Sequence, residues 1–308
     1  MNKLSYGDSA PSSLNPPNCE REIMRGWEMS EVTVSVICQT YQHASYIRDA
    51  LNGFLAQKTN FKFEIIIRDD CSNDGTTEII KEYERKYPGI IRGIYEPFNK
   101  WPSVKPGVLL RQAATGKYIA ECEGDDYWID EYKLQKQVDY LETHKNTVLL
   151  KTHCVWIENG RVIKPNVAGG TRTHVFKNIK VPFDYISYVY FGDTYYQAML
   201  VEHGDFAILN DVTAVWRKHS EGVFGSIADD RKRPLNLHRS QTQMWISQQF
   251  FDDGQKALAN RYMANSIQVL LSTLKVSEIV SIIRILLYSS IRKVVGKSLR
   301  FLKLIKPL

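Results

Sequence analysis

Glu123-Gly124-Asp125-Asp126 places three acids within four residues, directly after the apolar run Tyr118-Ile119-Ala120 and its extension Glu121-Cys122. Carboxylates this close repel one another unless a cation neutralises them. Hard divalent cations such as Mg²⁺ and Mn²⁺ take carboxylate oxygens together with substrate phosphates. Gly124 permits a tight backbone or the close approach of a ligand. The same four residues also suit a solvated turn that caps a helix near Asp130. A second cluster, Asp69-Asp70-Cys71-Ser72-Asn73-Asp74-Gly75-Thr76, follows Phe63 to Arg68. Ser72, Asn73 and Asp74 suit a helix cap. Asp69 and Asp70 exceed what capping needs, and a carboxylate there can accept a hydrogen bond from a base edge or a ribose hydroxyl. A third polar segment, Gln39-Thr40-Tyr41-Gln42-His43, follows Val32 to Cys38.

These clusters share one placement. Val32–Cys38, Phe63–Arg68, Ile90–Tyr95 and Tyr118–Cys122 read as strands. They alternate with helical spacing over Tyr46–Leu55 and Thr76–Tyr87, the latter closed by Pro88-Gly89. Near-continuous apolar strands between helices predict an α/β fold whose mostly parallel sheet is covered on both faces. Such sheets bind ligands beyond the carboxyl ends of their strands, which is where the polar clusters fall. Further on, Asn159-Gly160 between two apolar runs predicts a hairpin, and the chain from about residue 240 reads as helical.

Order and spacing over residues 32–145 carry a resemblance. Thr40-Tyr41, then Asp69-Asp70-x-Ser72-x-Asp74-Gly75-Thr76, then Gly116-Lys117-Tyr118-Ile119-Ala120 running into Glu123-Gly124-Asp125-Asp126-Tyr127-Trp128 resembles the family 2 glycosyltransferases of GT-A (Rossmann-like) fold. The Glu marks a branch with Glu-Gly-Asp-Asp in place of Asp-x-Asp-Asp. The resemblance implies that Thr40, Tyr41, Asp70 and Glu123 contact the donor nucleotide and that Asp125 binds a divalent cation, Mn²⁺ or Mg²⁺. Trp216-Arg217-Lys218-His219-Ser220-Glu221-Gly222 resembles the family's Tyr-Arg-x-His-x-x-Gly segment, implying that His219 reaches the metal or the diphosphate. Phe191-Gly192-Asp193 precedes a helical stretch, and an acid in this region is the family's catalytic base. Asp193 is therefore the first candidate, with Asp205 and Asp211 behind it. By residue type alone Asp193 also suits a helix cap, His219 and Arg217 suit structural or surface roles, and Lys105 and Arg111 read as surface charges.

The expected activity is an inverting, hexosyltransferase-type transfer from a nucleotide-diphosphate sugar, a UDP-sugar for preference, to a glycan or lipid-linked acceptor hydroxyl in surface polysaccharide or glycolipid assembly. A sugar-nucleotide nucleotidyltransferase would need a Gly-rich basic loop after the first strand, and Gln39–His43 has no glycine. A non-catalytic sugar-binding protein would need neither the acid cluster nor a separate base.

Composition sets the frame. The 308 residues are 44% hydrophobic and 24% charged, ordinary for a globular chain. Five well-separated cysteines without a C-x-x-C pair argue against a disulfide framework and for a reducing, cytoplasmic setting. Residues 276–308 hold seven of the 40 basic and one of the 34 acidic residues, leaving 33 of each in the rest. The net charge of +6 therefore belongs to this tail, and a nucleic-acid-binding body is not expected. Ile291, Val294, Val295, Phe301, Leu302 and Ile305 face one side of a helical wheel, opposite Arg292, Lys293, Lys297, Arg300 and Lys303. Such a basic amphipathic helix fits the anionic inner face of a membrane. The expected organisation is a flexible leader over 1–30, a catalytic domain over 31–235, and a helical region over 236–308 ending in the membrane-associating tail.

Overall fold

The computed structural model describes residues 9–28, 31–101, 106–181, 186, 191–220, 222 and 229–273. Two compact units divide at residue 228.

The first unit is a mixed, curled sheet with helices. Its order along the chain is α1 (Glu20–Met24), β1 (Val32–Thr40), α2 (Ile47–Leu55), β2 (Lys62–Asp69), α3 (Thr76–Lys86), β3 (Ile91–Tyr95), α4 (Pro106–Ala113), β4 (Tyr118–Glu121), β5 (Tyr127–Trp128), α5 (Lys133–Thr143), β6 (Thr147–Glu158), β7 (Arg161–Ala168), β8 (Val175–Lys177), α6 (Gly192–Leu200) and β9 (Asp205–Lys218). The strands lie in the order β3-β2-β1-β4-β8-β6-β9-β5, with β7 paired to β6. β3, β2, β1 and β4 are parallel. Their inward residues, Val34, Val36, Cys38, Ile65, Ile67 and Ala120, form the core with Leu51, Phe54 and Ile80 of the helices. β8 then runs antiparallel to both β4 and β6, and only β6 and β9 pair in parallel beyond it. The parallel pattern thus holds for the first half of the sheet, and the second half is mixed.

This order forces the curl. β4 and β5 are four places apart in the sheet, about 19 Å at ordinary strand spacing, yet only residues 122–126 join them. That link would reach across a flat sheet only if nearly fully extended. Instead it contains a turn closed by the Asp126 amide donating to the Glu123 carbonyl at 3.2 Å, so the sheet bends round it. Gly124 is required here: a Cβ would lie 2.9 Å from Thr40 Cβ and Oγ1. The acid turn is therefore pressed against the end of β1. The expected hairpin joins β6 to β7, with Asn159 and Gly160 at φ 51° and 74°.

Residues 9–28 depart from the flexible leader expected for 1–30. The Tyr127 hydroxyl donates to the Pro11 carbonyl (2.6 Å) and the Tyr87 hydroxyl to that of Pro17 (2.7 Å). Ser9 bridges Arg161, and Ile23 is buried in the core. Prolines and polar residues mislead here because tyrosines elsewhere in the unit supply their partners. All five cysteines are free thiols.

The second unit contains helices α7 (Asp229–Asp252) and α8 (Lys256–Thr273). Ser240 and Ser266 hydrogen-bond between them, and Phe250 stacks on Tyr262 at 5.4 Å. No helix among the described residues is long and apolar enough to cross a membrane. The amphipathic tail lies outside the described residues.

Candidate active site

Three loops leave the carboxyl ends of β1, β2 and β3. The first two are stitched together. Ser72 Oγ accepts from the Gln42 amide (2.9 Å), Thr76 Oγ1 from that of His43 (2.8 Å) and Asp74 from that of Ala44 (2.9 Å). Asp69 accepts the Ser72 hydroxyl (2.5 Å) and that of Thr77. Two of the acids after β2 thus build the loop. Asp70 is 4% exposed. It accepts from Arg68 Nη2 (2.8 Å) and from the Lys100 and Trp101 amides (2.9 and 3.1 Å). A carboxylate has about four acceptor positions, so one remains open. Tyr41 is half-exposed beside it. Thr40 is buried under Gly124, and its hydroxyl has no hydrogen-bond partner among the described residues.

The four acids from Glu121 to Asp126 each have a different partner. Glu121 pairs with Arg111, whose guanidinium lies 3.9 Å from the Tyr196 ring centroid. Both Glu123 oxygens lie near the Thr171 hydroxyl, at 2.8 and 2.6 Å. Asp126 accepts Arg172 Nε (2.6 Å) and the Arg217 amide (2.9 Å). Asp125 Oδ2 lies 3.1 Å from His219 Nε2 and 3.9 Å from His43 Nε2. Arg217 also donates to the Asp125 carbonyl (2.9 Å) and pairs with Asp49, so it locks the acid turn.

The electrostatics follow. Burial pushes the Glu123 carboxyl up to about 8, with Arg172 opposing and Asp126 adding. Burial likewise lifts Asp126 to about 6 against the pull of Arg172, with Asp125 adding to the rise. Burial also pushes on Asp125, but the His219 hydrogen bond and the His43 and His219 charges prevail and hold it below the usual carboxylate range. Asp125 is therefore the most acidic member of the turn, and Asp126 beside it is also largely ionised at neutral pH, whereas Glu123 is not.

A cleft of about 330 Å³ opens over this turn. Glu123, Asp125, Asp126, Asp193, Trp101 and Trp216 are among its lining. Asp193 occupies the first turn of α6. Asp205 instead pairs with Asn146 and Asp211 with Lys136, outside this lining. Thr40, Tyr41 and Asp70 stand apart from the lining. His219 reaches the cleft through Asp125. Lys105 lies outside the described residues.

Several contributors carried no sequence signal. Thr171 and Arg172 come from the turn before β8, which the strand order brings beside β4. Glu121 and Arg111 read as a strand residue and a surface charge. His43 stood in a polar cluster with nothing to link it to Asp125.

As to a cation, no group of three or more His, Cys, Asp or Glu side chains among the described residues could hold a metal by itself. Asp125 and His219 nevertheless fit as two ligands. A carboxylate oxygen and an imidazole nitrogen are both ordinary ligands of Mn²⁺, and the two lie 3.1 Å apart here. Diphosphate and water oxygens would complete the shell, as is usual for such ions.

The architecture, a curled α/β sheet with an acid turn at its centre, is that of a GT-A glycosyltransferase. It is similar to S. aureus TarS 1–349 solved in complex with UDP (TM-score 0.57, 17% identity, 80% of this chain and 77% of that one). It is also similar to the mannosyltransferase PcManGT from Pyrobaculum calidifontis, solved with GDP-Man and Mn²⁺ (TM-score 0.50, 14% identity, 90% and 87% covered). The family model described as "Glycosyl transferase family 2" matches residues 35–198, and the chain belongs to that family. Uncharacterized protein Rv1520 of Mycobacterium tuberculosis is 34% identical over 219 residues, 65% of this chain and 63% of the relative. The putative teichuronic acid biosynthesis glycosyltransferase TuaG of Bacillus subtilis is 37% identical over 108 residues, 35% of this chain and 41% of the relative. The chain thus spans 63% of the length of the first of these relatives.

Proposed function

We propose that the protein transfers a sugar from a nucleotide-diphosphate donor, a UDP-sugar, to an acceptor hydroxyl with inversion, in surface polysaccharide or glycolipid assembly. One observation carries this reading: Asp125 and His219 meet at 3.1 Å on the wall of a cleft that Asp193 also lines. A divalent cation held by Asp125 and His219 would neutralise charge on the leaving diphosphate. Asp193, at a helix start on the same cleft, would take the acceptor proton. Thr40, Tyr41, Asp70 and Glu123 would face the nucleotide. The open acceptor position on Asp70 supports this, as does the UDP in the TarS complex. The Mn²⁺ in the PcManGT complex supports the cation. An anionic, cytoplasmic membrane surface is the proposed location, resting on the basic amphipathic pattern of residues 291–305.

The test is hydrolysis and transfer across a panel of nucleotide sugars, with Mn²⁺ and with chelator. At least one donor should turn over only with the cation, and Asp125→Asn should abolish that turnover. Full activity in the substituted protein would discard the cation assignment.

A further inference from the structure

The loop after β3 is fixed from beneath by a buried charge network. Arg68 is 1% exposed and bridges Asp70 (2.8 Å) to Glu96 (2.8 Å), and Lys100 pairs with Glu96. Asp70 and Asn99 both accept from the Trp101 amide, at 3.1 and 2.9 Å. Burying several charges is costly and recovers its cost only when the geometry is well satisfied, and here Arg68 has a carboxylate on each side while Asp70 accepts two amides of the turn. What it holds is an indole. Trp101 is 41% exposed and lines the cleft with Asp125 and Asp193. Trp216 lines the same cleft and is braced edge-on by Trp156 at 4.7 Å.

An indole face carries negative potential and a large apolar area. The polarised C–H face of a pyranose is a natural partner for it. Tyr41 and Asp70, on the nucleotide side, stand apart from the cleft lining, whereas Trp101 belongs to it with Asp125. On the donor reading, a sugar attached to a diphosphate at Asp125 would have this cleft beside it. We infer that Trp101 is the stacking platform for the donor's sugar ring, with Asp70 acting as a positioning residue that sets the indole in place. This rests on the donor reading above and adds its specificity element.

The experiment is calorimetry on the full chain with Mn²⁺. UDP is titrated alongside UDP-glucose, UDP-galactose and UDP-N-acetylglucosamine, and the tightest donor is used. The quantity read is the ratio of UDP-sugar to UDP affinity. Trp101→Ala should lower that ratio about tenfold by weakening the sugar nucleotide while UDP itself binds as before, and Trp101→Phe should retain most of it. Asp70→Asn should lower the ratio to the Trp101→Ala level, whatever it does to UDP alone. Equal losses for UDP and UDP-sugar in Trp101→Ala would assign the indole to the base and overturn the inference. So would an unchanged ratio. Wild-type protein that takes up neither ligand would overturn the donor reading and this inference with it.

Discussion

Replacing Arg172 with Met tests whether the acid turn depends on a cation supplied by the protein itself. The Arg172 side chain is 12% exposed and donates Nε to Asp126 Oδ2 at 2.6 Å. It also opposes the rise of the Glu123 carboxyl. Breaking a buried pair by removing one partner costs about 3–5 kcal/mol, because a charge is left uncompensated. Two features set the expected value at the lower end. Asp126 keeps the Arg217 amide at 2.9 Å. Its carboxyl already sits at about 6, so without Arg172 it can take up a proton near pH 7 and shed the charge. Each unit of that shift costs about 1.4 kcal/mol. Arg172→Met should therefore lower stability at pH 7 by about 3 kcal/mol in urea unfolding. Adding Asp126→Asn should restore part of it, with a coupling above about 1 kcal/mol. A loss below about 1 kcal/mol, or strictly additive effects, would refute the claim that Arg172 holds the turn together.

Asp193→Asn should leave donor affinity intact in calorimetry and lower kcat about 10²- to 10⁴-fold; unchanged turnover would move the base elsewhere. Lys133 is fully buried, and burial lowers its ammonium to about 7 from 10.5. A depressed amine contributes stability that is present above about 10.5 and is lost as the pH falls to 7. Wild-type stability from this group should therefore rise with pH across that window, by about 1.4 kcal/mol per unit. Lys133→Met removes this dependence, so its gain over wild type in urea unfolding should shrink by about 2 kcal/mol between pH 7, where the amine is half-neutral, and pH 9. An offset equal at both pH values would show that Lys133 does not carry the cost.

What the sequence reveals of this site follows the range of the forces involved. β1, β2 and β4 announce themselves because buried parallel strands must be continuously apolar, and their polar ends mark the loops. The Asn159-Gly160 turn is equally local, since positive φ selects those residues. Asp69 reads as a surplus acid because the hydroxyl that occupies its second oxygen, on Thr77, lies eight residues further on, in the first turn of α3. Arg172 was invisible for a different reason. It meets Asp126 only because β8 inserts between β4 and β6, and nothing in the residues around it encodes that order. Residues 9–28 mislead for the same reason, their partners including tyrosines up to 116 positions away.

The division of partners among the acids bears on which of them could hold the proposed cation. Glu121 is matched by a guanidinium, Glu123 by a hydroxyl, and Asp126 by a guanidinium and a main-chain amide. The guanidinium and main-chain amide partners cannot become metal ligands, because neither has a free lone pair on nitrogen at neutral pH. Asp125 differs in that its carboxylate oxygen faces imidazole nitrogens, of His219 at 3.1 Å and His43 at 3.9 Å. An imidazole that loses the proton on its facing nitrogen can turn from hydrogen-bond donor to metal ligand. A cation at Asp125 would thus replace a shared proton, whereas a cation at Glu121 or Asp126 would first have to displace a bound guanidinium.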